Sequence, residues 1–407
     1  LIPFIIFLFS FISFYVGSQS AYDFLITVII YTSDFENSPL AIFQHMCYDT
    51  LSGQRDTRPL STEVKIVFVL HSLFLRKRGA IMPGFTTHYI LGMKAFNDLP
   101  NNQLKYIIAK YRWLYQLGLQ GPDIFFYNIP ILRHRDYRNV GSYMHEHHIR
   151  DFFACYLHNL EEIPFKQQRA EGLAYFCGYL CHYIGDSICH PYVYGRIGYD
   201  AKAPTAQAHG MHAALENDID ALLLLKYKKK KPSQFNQAAT ICLNGMEIQF
   251  VSRFLSKCIN EAYYPVTPQN NFQVTPRMVH RSILATRFGC RTLADPSGRK
   301  RSGIAFVENI FLKNPLASTK LVTDQVSDPH ACLNLSHETW CNPWDRRLAS
   351  KASFPDLFQQ SLSKCSNVYG ILNAAIDHAQ ISREQDITRL LDELGCYSYH
   401  SGLFVAD

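Results

Sequence analysis

The sequence predicts an all-α fold, a bundle-like array of helices that brings polar ligands from facing helices into its core. Three observations predict it. Strand-like alternation is scarce, whereas helical periodicity runs almost throughout from Met82 onward. Hydrophobic residues make up 47% of the 407-residue chain and charged ones 18%, which supplies a substantial core and argues against disorder. The apolar stretch YFCGYLCHYIGDSICHPY (Tyr175–Tyr192) carries His182, Asp186 and His190 four positions apart. At about 3.6 residues per turn the three lie along one helix face. Burying such groups costs several kcal/mol unless something pairs with them.

The first 81 residues differ from the rest. LIPFIIFLFSFISFYVG is apolar and uncharged, like a signal-peptide core or a short membrane span, yet it has no basic flank and no initiator Met. Two readings compete for residues 1–81. One is a membrane anchor over residues 1–31. The other is translated upstream sequence, with the chain starting at Met82, because KRGAIM can be encoded by a purine-rich run like a ribosome-binding site. The second reading implies a cytoplasmic protein, the first a membrane-anchored one.

From Met82 the elements follow in order. THYILGMKAFNDLP reads as an amphipathic helix ended by Pro100. LKYIIAKYRWLYQLGLQGPD reads as a helix and then a Gly/Pro turn at Gly118 to Pro122. SYMHEHHIRDFFACYLHNL is a third helix, the His-Asp-His stretch a long buried fourth, and HGMHAALENDIDALLLLKY a fifth. The run KYKKKK, Lys226 to Lys231, precedes Pro232 and reads as a solvated helix end, where the helix dipole favours lysine. Further on, GMEIQFVSRFLSKCINEAYY and DLFQQSLSKCSNVYGILNAAI read as helices, and DPSGRKRSG as an exposed basic loop. Trp340 and Trp344 read as packing anchors. The domain division is therefore residues 1–81, a helical domain at 82–265, and a loop-rich and helical region at 266–407 that packs on it.

Ten of the seventeen histidines fall between His88 and His212, which places the chemistry there. The candidate ligands are His88, Asp123 in the GPD turn, His145 in MHEHH, the stripe His182, Asp186 and His190, and the i, i+4 pair His212 and Glu216. All are nitrogen or oxygen donors, a set that suits Zn²⁺ with positions left for water. Two or three such ions would polarise a phosphoryl group and activate water. His147, His148, His158 and His209 read as surface or hydrogen-bonded residues, and His330 and His337 as structural. The twelve cysteines show no CxxC pair and suit a reducing compartment.

MPGFTTHYILG, GLQGPDIFFY, MHEHH, YLCHYIGDSICHPY and HAALE occur in the order seen in zinc-dependent phospholipase C proteins, which are related in fold to the single-strand-specific zinc nucleases. The chain resembles a bacterial branch of that family whose members begin Met-Pro. The likeness runs from Met82 to about Lys230, with weaker echoes in LNLSHETWCNPW and SYHSGL. The resemblance implies that Asp123, His145 and His182 hold one zinc. Asp186 would bridge it to a second, shared with His88. His190, His212 and Glu216 would hold a third. Asp123 would also orient or deprotonate the attacking water. Were Met82 removed, Pro83 would become a terminal zinc ligand through its nitrogen and carbonyl. The secreted relatives have a signal peptide and an N-terminal Trp that this chain lacks, so extracellular action is not implied.

The expected activity is metal-dependent phosphodiester hydrolysis of phospholipase C type, with a phospholipid or another phosphodiester as substrate. A nuclease or nucleotidase on the same site is the alternative, and a metal-stabilised binding protein a third reading. A net charge of +6 argues mildly against a long polyanion, whose phosphates need clustered Lys and Arg. Phe125, Phe126, Tyr127, Tyr183 and Tyr192 read either as the lining of an apolar pocket or as core.

Overall fold

A computed structural model describes residues 84–127, 140–266, 273–311, 318–377 and 384–406. Residues 1–83, and with them Pro83 and both readings of the first 81 residues, lie outside it. The fold is all-α. Its helices are α1 (Phe85–Asp98), α2 (Gln103–Lys110), α3 (Arg112–Gly118), α4 (Val140–Met144), α5 (Ile149–Glu162), α6 (Lys166–Arg196) and α7 (Ala206–Lys228). They continue as α8 (Gly245–Tyr263), α9 (Pro276–Thr292), α10 (Arg299–Phe311), α11 (Pro329–Leu333), α12 (Phe354–Asp377) and α13 (Glu384–Leu394). Strand structure among the described residues is slight: β1 (Trp340–Cys341) pairs antiparallel with β2 (Ala349–Ser350). No helix of the described residues is long and apolar enough to cross a membrane.

The 31-residue α6 is the axis of the molecule. It is buried on every side from Glu171 to Asp186, as a helix apolar all round must be. α3, α12 and α1 pack on it. The α3 crossing is tight because glycines face each other. A methyl group on Gly118 would stand 2.1 Å from the Tyr175 carbonyl oxygen, and one on Gly178 would stand 2.1 Å from that of Tyr115. Both obstacles are backbone and cannot rotate away. Gly178→Ala is therefore expected to cost about 3 kcal/mol, the upper end of ordinary overpacking. Gly370→Ala in α12, where the methyl meets nothing within 4 Å, should instead gain about 0.5 kcal/mol. Urea denaturation of the two variants checks the contrast.

Local chemistry sets the helix ends. Asn102, Thr205 and Thr275 accept backbone N–H bonds as N-caps, and Asn244 with Glu247 forms a reciprocal capping box. α1 has no such residue of its own. Its first amides are satisfied from across the core by Asp220 of α7, which accepts from Thr86 N at 3.0 Å, Thr87 N at 2.7 Å and the Thr87 hydroxyl at 2.6 Å. This long-range cap fixes the start of the helix that carries His88.

Three readings change. The single helix expected over SYMHEHHIRDFF is broken: α4 ends at Met144, α5 starts at Ile149, and His148 between them is left-handed at φ 48°. The helix expected over LKYIIAKYRWLYQLG is divided at Tyr111. The expected basic loop is the start of α10, because the buried Asp295 accepts from Arg301 N at 2.8 Å and organises the turn. The lysine run does close a helix, with Lys229 left-handed at φ 56°. The aromatic candidates Phe125, Phe126, Tyr127, Tyr183 and Tyr192 are all buried in the core. Cys177, Cys181 and Cys189 of α6 are free thiols.

Candidate metal centre

Five segments meet at one end of α6. α1 supplies His88, the 3-10 turn Gly121–Tyr127 supplies Asp123, and the break after α4 supplies His145. α6 supplies His182, Asp186 and His190, and α7 supplies His212 and Glu216. All eight side chains are buried. Gly121 explains how the turn approaches so closely. It sits at φ +47°, and a Cβ there would lie 2.2 Å from the His182 ring.

Asp186 is the hub. Its Oδ1 lies 3.0 Å from His88 Nε2 and 3.7 Å from His190 Nε2. Its Oδ2 lies 3.1 Å from His182 Nε2 and 3.8 Å from His145 Nε2. Asp123 Oδ1 faces His145 at 3.1 Å and His182 at 3.9 Å. Glu216 spans the other side, with Oε1 3.0 Å from His190 Nε2 and Oε2 3.1 Å from His212 Nε2. Two groups of mutually adjacent ligand atoms result. One is Asp123, His145, His182 and Asp186; the other is His190, His212 and Glu216. His88 stands beside the hub, its ring 4.1 Å from that of His182. Gly84, at the entrance to α1, approaches the Glu216 carboxylate, to which an added Cβ would be 3.4 Å.

Backbone carbonyls aim the rings. His145 Nδ1 lies 2.6 Å from Gly141 O, His182 Nδ1 3.2 Å from Leu119 O, and His190 Nδ1 2.9 Å from Tyr399 O. Each Nδ1–H is thereby engaged, which turns the Nε2 lone pair toward the carboxylates, the arrangement that orients metal-binding histidines. Within MHEHH, the candidate His145 is fully buried and points inward, while His147 is exposed.

The set fits a cation. Asp123 Oδ1, Asp186 Oδ2, Glu216 Oε2 and the Nε2 atoms of His145, His182 and His212 are buried with no hydrogen-bond partner. Three carboxylates out of water would cost several kcal/mol each without compensating positive charge. In the metal-free chain protons supply some of it. Burial opposes a charged ring at His88, but Asp186 outweighs it and raises His88 to about 9. Burial likewise opposes charge on His190, which Asp186 and Glu216 raise to about 10. Burial would lift Glu216, yet His212 and His190 hold it at about 2, and the surrounding imidazoles hold Asp186 well below the usual carboxylate range against the same burial. At His182 burial wins and the ring is lowered. Nitrogen and carboxylate ligands without thiolate match zinc in borderline, open coordination.

Two contributors escaped sequence reasoning. Asp220 was a helix residue like its neighbours, and nothing local marks it as a cap. His400 stacks on His145, with centroids 4.9 Å apart and planes at 10°, yet it lies in SYHSGL, where no local spacing distinguishes it.

A model of the family described as zinc dependent phospholipase C matches residues 87–264. Neither a curated protein nor a solved structure matches the chain.

Proposed function

The chain belongs, through residues 87–264, to the zinc-dependent phospholipase C family, and from that premise we propose that it hydrolyses phosphodiesters as a phospholipase C. The observation that carries this reading is the convergence of orphaned carboxylate oxygens and imidazole nitrogens on one buried centre. Asp123, His145 and His182 would hold one zinc, with Asp186 shared toward His88, and His190, His212 and Glu216 would hold another. Zinc supplies Lewis-acid polarisation of the phosphoryl oxygens and lowers the pKa of water. Asp123 orients the attacking water and takes its proton. Water adds to phosphorus, the bond to the glycerol oxygen breaks, the proton taken up by Asp123 passes to that departing oxygen, and the products are diacylglycerol and a phosphorylated headgroup. Burial of the cluster excludes bulk water and strengthens each charge interaction there.

The test is turnover of phosphatidylcholine vesicles, single-stranded DNA and mononucleotides by zinc-loaded and chelated protein. Diacylglycerol release that chelator abolishes is expected. Asp123→Asn should lower kcat by about 10²–10⁴-fold, the span of a lost general base. Turnover of DNA or mononucleotides alone would replace this reading with a nuclease or nucleotidase. No turnover of any substrate by zinc-replete protein would leave a metal-stabilised binding protein.

A further inference from the structure

Residues 396–405 form a strap that closes over the ligand cluster. Val405 N donates to Cys396 O at 2.8 Å and Ser398 N to Leu403 O at 2.9 Å, which folds the strap back on itself. Tyr397 N donates to the Tyr183 hydroxyl at 3.0 Å, and Asn342 Nδ2 donates to Ser401 O at 2.8 Å. Pro191 inside α6 lacks the N–H that would pair with Ser187 O. Gly402, at φ +61°, seats at that gap: a Cβ there would lie 2.5 Å from Ser187 O and 2.8 Å from Pro191 Cγ.

The strap grips two candidate ligands through one residue. Tyr399 N donates to His145 O at 3.0 Å, and Tyr399 O accepts from His190 Nδ1 at 2.9 Å. His400 follows. Its ring stacks on His145 and lies 5.9 Å from His190, so it spans both ligand groups. Its Nδ1 is 3.3 Å from the Tyr194 hydroxyl. Unlike the five cluster histidines, it is only partly buried. It belongs to neither group of adjacent ligand atoms.

We propose that His400 is a substrate-contacting residue that donates a hydrogen bond from Nε2 to the substrate phosphate. The inference rests on the phosphodiesterase reading for its ligand. In the tautomer that carries its proton on Nε2, Nδ1 accepts from the Tyr194 hydroxyl, which leaves the Nε2–H for the phosphate. The strap's backbone bonds hold the ring in place before substrate arrives, which keeps such a contact geometrically sharp. The family match ends at residue 264, so the matched ligands are completed here by a segment beyond it.

Calorimetric titration of zinc-loaded protein with inorganic phosphate tests this apart from turnover. His400→Ala should retain the full zinc content and bind phosphate about ten- to a hundredfold more weakly, the effect of losing a hydrogen bond to a charged group. His400→Gln, which keeps a donor, should recover part of that loss; it also decides the matter should the alanine variant fail to fold. Unchanged phosphate affinity overturns the proposal. So does loss of zinc in a folded glutamine variant, which would make His400 a ligand. Wild-type protein that binds phosphate through His400 but turns over no phosphodiester would refute the phosphodiesterase reading and leave His400 as a phosphate contact.

Discussion

Asp186→Asn is expected to deplete bound zinc and to lower phosphodiester turnover about a hundred- to a thousandfold, the scale on which single charge-stabilising groups act in enclosed sites. The expectation follows from position. Four imidazole nitrogens lie within 3.8 Å of its two oxygens, and it is the carboxylate that faces both ligand groups. Asparagine keeps the shape, removes one of three buried negative charges, and turns an amide N–H₂ toward nitrogens that offer lone pairs. Even partners that merely orient a ligand cost about 10–100-fold in metal affinity, so the hub should cost at least that. Glu216→Gln is the comparison. Among the described candidate ligands Glu216 touches His190 and His212 alone, so its loss should empty one group and spare the other. Native mass spectrometry counts the metals, and kcat reports the consequence. Full zinc occupancy and an unchanged rate in Asp186→Asn would reject the shared-carboxylate arrangement.

The sequence revealed what is local and hid what is not. His182, Asp186 and His190 were legible as a stripe because helical spacing alone aligns them, and the buried α6 was legible from its unbroken apolar character. The pair His212 and Glu216 was legible for the same reason. The MHEHH segment was harder. Helical spacing makes His145 and His148 neighbours on a face, but the chain leaves the helix there, and the His145 Nδ1 bond to Gly141 O settles which ring turns inward. No pattern in five residues encodes that choice. Asp220 and His400 act on segments far along the chain, the first through amides of α1, the second by stacking on His145. Such roles depend on tertiary packing, and composition and periodicity do not carry them. The basic DPSGRKRSG stretch shows the reverse error. Its charges suggested an open loop, while one buried aspartate, Asp295, made it a helix start.

Zinc uptake should expel about two protons near pH 7.5. In the metal-free chain His88 and His190 titrate at about 9 and about 10, so both carry protons at that pH, whereas a zinc ligand must offer a free nitrogen lone pair. His182, lowered by burial, has no proton to give. The stability signs follow. Both raised histidines stabilise the metal-free fold fully below their ordinary 6.5, and that contribution is lost as pH rises through about 9 to 10. Glu216, depressed to about 2, contributes above its ordinary 4.5 and is lost as pH falls through about 2. Metal-free protein should therefore be most stable between about pH 4.5 and 6.5 as far as these groups decide it. Zinc-loaded protein should gain as pH rises, because proton competition for the ligands fades. At free zinc a thousandfold above Kd the gain is about 4 kcal/mol, or roughly 5 °C in Tm for a chain of this length. The fall in Tm on chelation should thus be larger at pH 8 than at pH 6. Calorimetry in buffers of differing ionisation enthalpy counts the protons, and thermal melts with and without chelator at the two pH values give the stability side. Proton release near zero together with an equal Tm fall at both pH values would place the zinc ligands away from His88 and His190.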